Sequence, residues 1–194
     1  MWRVLLLSLS LFACSEEREQ PPLSQPPPAS DSCEEDQPPA QCEAGMAEFK
    51  EALDAQHIDE GAIEYEEYPP SSGNHRSQWA RWGEYSHLPP ERWLHNLEHG
   101  GIAFLYHPCT APELIDELRD YARSLQGEEG EPFRWVLTPA PELPTAIAVM
   151  AWEWRYLAEC LQRDEVDEFI ERVYRQAPED IAVDGAYSER WLGR

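Results

Sequence analysis

The residues HNLEHGGIAFLYHP, numbered 95–108, decide how this chain folds. A polar segment with two histidines runs into a glycine pair, and an almost unbroken apolar run over 101–107 comes next. A short apolar run bounded by turn residues is typical of a buried strand. We therefore expect a tight turn at the glycine pair and a strand directly after it.

Periodicity on either side of that strand predicts the remaining elements. Thr110 and Glu113 form a capping box for the following helix. The predicted elements are a helix over 44–56 with Met46, Phe49 and Leu53 on one face, loops over 57–94, a strand over 101–107, a helix over 110–125, strands over 133–138 and 146–152, and a helix over 163–176. This order predicts a single α+β domain with a small mixed, partly antiparallel sheet, flanking helices and a loop-rich N-terminal half.

The N-terminus predicts export and lipid attachment. Arg3 precedes an apolar run over 4–12 that is too short to span a bilayer and has the layout of a signal peptide. Cys14 follows a small residue at the end of this run and resembles a lipobox cysteine. We expect a signal peptide over 1–13 and lipidation of Cys14, palmitate included. By the sorting rule of enteric bacteria, Ser15 favours the outer membrane, so the expected location is the bacterial cell envelope.

Residues 14–42 read as a tether, and residues 43–194 as one globular domain. The tether carries seven prolines among serine, glutamine and acidic residues. Such a segment cannot bury enough apolar surface to offset its ordering entropy. The remaining chain has the length of one ordinary domain.

The charge balance excludes nucleic-acid binding. Fifteen lysines and arginines face thirty-eight acidic residues, which gives a formal net charge of −23. A surface this acidic repels phosphate backbones. We interpret the excess as a solvated, soluble surface rather than a store for cations.

Four cysteines remain when Cys14 is set aside. In an oxidising compartment they imply two disulfides with three possible connectivities. Cys33 and Cys42 close a short loop, and Cys109 and Cys160 each follow a predicted strand. We therefore expect the pairs Cys33–Cys42 and Cys109–Cys160. Thioredoxin-like chemistry and c-type haem have no support because the chain has no CxxC motif.

The histidines predict a metal site. On a helical turn, His95 and His99 would lie on one face, with their Cβ atoms about 6 Å apart. Neutral imidazole is a preferred ligand of zinc and copper. His75 is the best candidate for a third ligand, and His87 is the second. His107 is excluded because eight extended residues at about 3.3 Å each separate it from His99.

Glu98 has two possible roles in such a site. Next to His99, it points away from the shared face of a helical turn, so it could orient an imidazole or serve as the base of a zinc hydrolase. Residues 95–99 also match the H-x-x-E-H pattern of inverted zinc peptidases, which lies inside a long helix. The glycine pair ends any helix here at once, so we do not adopt the peptidase hypothesis.

A metal-free alternative stays open. The side chains of His95, Asn96 and His99 could simply bond to backbone groups in a tight turn before the buried strand. Under that hypothesis the motif is scaffolding, and the domain is an interaction module.

Five segments together resemble a known bacterial family. They are YPPSSGNH at 68–75, WARWGEY at 79–85, HNLEHGGIAFLYHP at 95–108, IAVMAWEW at 147–154 and FIERVYRQAPE at 169–179. The chain resembles the family called domain of unknown function 3105 over roughly residues 65–178. Its members are typically exported or membrane-tethered, and it has no established activity. The resemblance implies that His75, His95, Glu98 and His99 form one constellation.

The sequence thus predicts an exported, lipid-anchored protein that binds copper or zinc. The expected ligands are His75, His95 and His99. One alternative is a zinc-dependent hydrolase with Glu98 as the catalytic base. The other is a metal-free module that binds another envelope protein.

Overall fold

The computed structural model of the protein describes residues 33, 42–128 and 130–194. The predicted signal peptide, the lipidation site Cys14 and most of the tether lie outside the described residues. Within the described ranges, no helix combines the length and apolarity needed to cross a bilayer.

A mixed sheet forms the centre of the domain, with seven strands among the described residues. In chain order the elements are β1 (Met46–Phe49), β2 (Gly83–Tyr85), α1 (Pro90–Glu98), β3 (Ile102–Tyr106), α2 (Pro112–Ser124), β4 (Trp135–Pro139), β5 (Ile147–Ala151), β6 (Trp154–Ala158), α3 (Arg163–Val173) and β7 (Trp191–Gly193). The spatial order of the strands is β1-β6-β5-β3-β4-β2-β7. Strand β3 runs parallel to β4 and antiparallel to β5. The α+β prediction is therefore confirmed.

The predicted strand after the glycine pair is β3, and it is buried on both faces. Ile102 and Phe104 point into an apolar cluster shared with α2 and α3. Ala103 and Leu105 point into a second cluster shared with α1. Because successive side chains of a strand alternate between faces, a strand covered on both sides reads as a continuous apolar run.

Prolines begin the two helices that flank β3 in the chain. Pro112 occupies the first turn of α2, where its fixed φ and missing N–H are tolerated. The predicted capping box is wrong, because Ala111 precedes the helix and no side chain caps it. The Thr110 hydroxyl instead donates to the carbonyl of Ala146 at 2.7 Å. Helix α1 likewise begins at Pro90, inside the segment predicted to be loop.

The predicted helix over 44–56 is also wrong. Met46–Phe49 forms β1, which pairs antiparallel with β6 at the edge of the sheet. Met46, Phe49 and Leu53 are more than half exposed, so the apolar stripe expected of a helix is not buried. The hydrogen bonds to β6 hold this segment as a strand. Because that partner is far away in the chain, the local spacing of the apolar residues does not reveal it.

The predicted disulfide pairing is wrong as well. Cys33 bonds to Cys109, with their Cα atoms 5.4 Å apart, and Cys42 bonds to Cys160, with theirs 5.7 Å apart. The physical reason for the second pair is the antiparallel register. Met46 lies opposite Leu157, so residues just before β1 lie beside those just after β6. Two disulfides are typical of a protein that folds in an oxidising compartment.

Candidate metal centre

The C-terminal turns of α1 place His95, Glu98 and His99 at the end of the helix. Their i, i+3, i+4 spacing puts them on neighbouring positions of the helix surface. The helix ends at Glu98, and Gly100 shortly after it has a φ of +77° that suits glycine. At Gly101 a Cβ atom would lie 2.5 Å from the ring of Trp82. The glycine pair therefore lets the chain turn directly from the histidine-bearing helix into β3.

His57 and His75 reach the same place from two extended segments that run side by side. The Ile58 amide donates to the His75 carbonyl at 2.8 Å, and the His75 amide donates to the Gln56 carbonyl at 3.1 Å. The guanidinium of Arg76 holds the segment that carries His57 by donating to the carbonyls of Ile58 and Gly61. The imidazole of His57 then stacks on that of His95, with centroids 4.6 Å apart.

Backbone carbonyls determine the proton positions of two imidazoles. His75 Nδ1 lies 2.8 Å from the carbonyl oxygen of Gly73. His95 Nδ1 lies 2.7 Å from the carbonyl oxygen of Arg76. A carbonyl only accepts, so each Nδ1 must carry the proton. In a neutral ring, both Nε2 atoms then present lone pairs.

Glu98 lies where these lone pairs converge. Its Oε2 atom is 3.0 Å from His75 Nε2, 3.8 Å from His57 Nε2 and 4.0 Å from His95 Nε2. Burial favours the neutral carboxyl, but the hydrogen bond and charge of the surrounding imidazoles outweigh it and lower the pKa of Glu98. With the His75 proton on Nδ1, the 3.0 Å contact between His75 Nε2 and Glu98 Oε2 requires either a second proton on the imidazole or a cation between the two atoms.

Burial keeps His95 neutral. Desolvation lowers the pKa of His95 to about 4, although the hydrogen bond to Arg76 opposes it. The residue is 2 % exposed, and the indole of Trp79 lies against its ring with centroids 5.1 Å apart. An imidazole that stays deprotonated near neutral pH is in the form that metals bind.

His99 makes close contacts with both His95 and Glu179 through its Nε2 atom. The two Nε2 atoms are 3.1 Å apart, and Glu179 Oε2 lies 3.0 Å from His99 Nε2. Burial lowers the pKa of His99, and the carboxylates of Glu179 and Glu98 oppose that effect. The Glu179 amide donates to the Glu98 carbonyl at 3.0 Å, which fixes the segment after α3 against the end of α1.

Of the predicted ligands His75, His95 and His99, the structure places the first two in one group with Glu98 and places His99 in an adjoining group. His57, His75, His95 and Glu98 form one group, and Glu98, His99 and Glu179 form another; in each, the ligand atoms lie within 4.8 Å of one another. His87 and His107 belong to neither group among the residues described.

Sequence reasoning missed His57 and Glu179, because nothing in their spacing links them to the motif. Asn96 is structural, as one alternative expected. Its amide donates to the Ala80 carbonyl, and its oxygen accepts from the Ala80 amide.

Comparison with known proteins identifies the family. Neither the curated proteins nor the solved structures contain a match to the chain. A family model described as "Protein of unknown function (DUF3105)" matches residues 57–186, a span that contains every residue of both groups. Because this match covers more than half of the chain, the protein belongs to the DUF3105 family.

Proposed function

We propose that this protein binds a copper or zinc ion through an imidazole–carboxylate group. The observation that carries the proposal is the pair of backbone carbonyls that hold the Nδ1 protons of His75 and His95. Metal-binding histidines generally donate their second N–H in this way, which orients the ring and fixes its tautomer. The proposed ligands are His57, His75, His95 and Glu98.

The spacing of the ligand atoms suits a transition metal. With Zn–N bonds of about 2.0–2.1 Å, tetrahedral ligand atoms lie about 3.3 Å apart. The separations from Glu98 Oε2 to His75, His57 and His95 are 3.0, 3.8 and 4.0 Å. All four ligand atoms lie within 4.8 Å of one another, so shifts of about 1 Å would bring them to bonding distance. His57, the most exposed of the four, gives an ion a route from solvent.

The donor set favours copper or zinc over magnesium or calcium. Imidazole nitrogens suit zinc and copper, whereas magnesium and calcium prefer oxygen ligands. The four described cysteines are in disulfides and cannot offer thiolates. Because divalent copper binds such sites more tightly than zinc, we expect the affinity for Cu(II) to exceed that for Zn(II).

We further propose that the protein is exported and held in the bacterial envelope by a lipid anchor. The N-terminal apolar run and Cys14 support it on sequence grounds. Two disulfides support an oxidising compartment. The anchor itself is tested by mass spectrometry, which should find acyl chains on Cys14 of membrane-extracted protein and none after Cys14→Ser.

The geometry favours metal binding over the two alternatives. A hydrolase with Glu98 as base needs that carboxylate free for a water molecule, but Glu98 Oε2 lies among the ligand atoms. A purely structural motif would pair both nitrogens of each buried ring with the backbone. Instead, the hydrogen-bond partners of these Nε2 atoms within the described part of the chain are Glu98 for His75 and His99 for His95.

Asparagine substitutions test the proposal without removing the backbone hydrogen bonds. An asparagine amide nitrogen can occupy the place of His Nδ1, so His75→Asn and His95→Asn delete only the Nε2 ligand atom. We expect each to weaken Cu(II) and Zn(II) binding at least tenfold, measured by titration and by metal content after dialysis. His107→Asn, outside both groups, is the matched control. Unchanged metal content in both site variants would show that the assignment is wrong.

A further inference from the structure

A second group of ligand atoms adjoins the first. Glu98, His99 and Glu179 each offer one atom, and these atoms lie within 4.8 Å of one another. Glu98 belongs to both groups. The groups also approach through their imidazoles, because His95 Nε2 and His99 Nε2 are 3.1 Å apart.

Imidazoles are the only ionic partners that the described residues offer to the two carboxylates of this second group. Glu179 forms its ion pair with His99 alone, and Glu98 forms its pairs with three imidazoles. Among the described residues, no lysine or arginine pairs with either carboxylate. Two negative charges this close, one of them on the largely buried Glu98, are unfavourable unless a cation lies between them.

His99 gives an independent observation. Its side chain is 2 % exposed, and Nδ1 is buried with no hydrogen-bond partner among the described residues. No carbonyl therefore fixes its proton, unlike the protons of His75 and His95. The carboxylate of Glu179 and the Nε2 lone pair of His95 both only accept, so His99 Nε2, 3.0 Å from the first and 3.1 Å from the second, must carry a proton or bind a cation.

We propose that the protein holds two divalent ions, bridged by the carboxylate of Glu98. This inference rests on the proposed function. The first ion binds His57, His75 and His95, and the second binds His99 and Glu179. Bonds of about 2.0–2.1 Å and the 3.1 Å contact between His95 and His99 keep the ions within about 7 Å of each other. A bridging carboxylate brings them to the separation of about 3.5–4 Å known from two-metal sites.

Zinc stoichiometry tests the second position. The full chain is loaded with Zn(II), and bound ions are counted by native mass spectrometry and elemental analysis. We expect two ions per chain in the wild type, one in Glu179→Gln, and two in Glu171→Gln, an exposed control on α3. Glu179→Gln should fold, because the side chain is 49 % exposed and the backbone bond to Glu98 remains.

X-ray absorption on the wild type gives a second measurement that does not depend on any variant. We expect a zinc–zinc distance of about 3.5–4 Å. One ion per chain with no zinc–zinc vector, unchanged by Glu179→Gln, would overturn the second position and leave the first intact. A chain that binds no zinc would overturn both the inference and the proposed function.

Discussion

Replacing Asp180 by asparagine tests how the segment after α3 holds the end of α1. The side chain of Arg134 is 3 % exposed. Its guanidinium donates to the Asp180 carboxylate and to the carbonyl oxygen of His99. Glu131 adds a contact at 3.3 Å, and Asp180 also accepts from the guanidinium of Arg175. Asp180 therefore anchors a buried arginine that contacts the backbone of the candidate metal centre at His99.

The expected loss follows from the burial of Arg134. Removing one partner of a fully buried ion pair costs about 3–5 kcal/mol. Three features reduce this value: Asp180 is 42 % exposed, the amide keeps one acceptor oxygen, and Glu131 remains in contact. We expect Asp180→Asn to lower the free energy of unfolding by about 2 kcal/mol.

The loss of unfolding free energy caused by Asp180→Asn should depend on pH. Hydrogen bonds from Arg175 and Arg134 lower the pKa of Asp180 from 3.8 to about 2, with the Arg175 bond as the largest cause. A carboxyl with a lower pKa in the folded state contributes its full stability above the unfolded pKa and loses it as the pH falls through the folded pKa. The difference between wild type and variant should therefore shrink between pH 4 and pH 2.

Urea unfolding, followed by tryptophan fluorescence at pH 7 and at pH 2.5, measures both effects. Asp120→Asn, an exposed substitution on α2, is the matched control and should change the free energy of unfolding by less than about 0.5 kcal/mol. A variant as stable as the wild type at pH 7, or a deficit that is undiminished at pH 2.5, would refute the reasoning.

Three further predictions concern the helix that carries the motif. Gly101→Ala should destabilise the fold by about 1–3 kcal/mol, because its Cβ would lie 2.5 Å from the ring of Trp82; an unchanged melting temperature would contradict this. Asn96→Ala should cost about 2–4 kcal/mol in urea unfolding, because it strips both hydrogen bonds from the backbone of Ala80; an effect as small as that of a surface substitution would show these bonds to be dispensable. His95 should titrate near pH 4 by NMR, and its burial should make stability fall as pH drops from 6.5 to 4; a midpoint above 6 would disagree.

The sequence predicted the elements whose pattern is local. The apolar run of β3 shows its burial directly. Most of α1, in contrast, lies in the segment over 57–94 that was predicted to be loop. The edge strand β1 could not be found this way, because the spacing of Met46, Phe49 and Leu53 also fits a helix. Its true partner is β6, more than one hundred residues later in the chain.

The difference between local patterns and contacts distant in the chain also explains which residues of the candidate site could be predicted. His95, Glu98 and His99 share one helix, so their proximity follows from their spacing. His75 was proposed as a third ligand from its loop, twenty residues before His95, and its Nε2 atom lies 3.0 Å from Glu98 Oε2. His57 comes to the site through an isolated bridge to His75. Such a bridge depends on tertiary packing and leaves no periodic signal in the sequence.

The central claim is that the Nε2 atoms of His57, His75 and His95 share an ion with Glu98. Anomalous diffraction from crystals of the Zn(II)-loaded protein measures this directly. We expect an anomalous peak about 2.0–2.1 Å from these three nitrogens, with the Nδ1 atoms of His75 and His95 still within hydrogen-bond distance of the carbonyls of Gly73 and Arg76. A peak only on surface carboxylates, with the three rings unliganded, would contradict it.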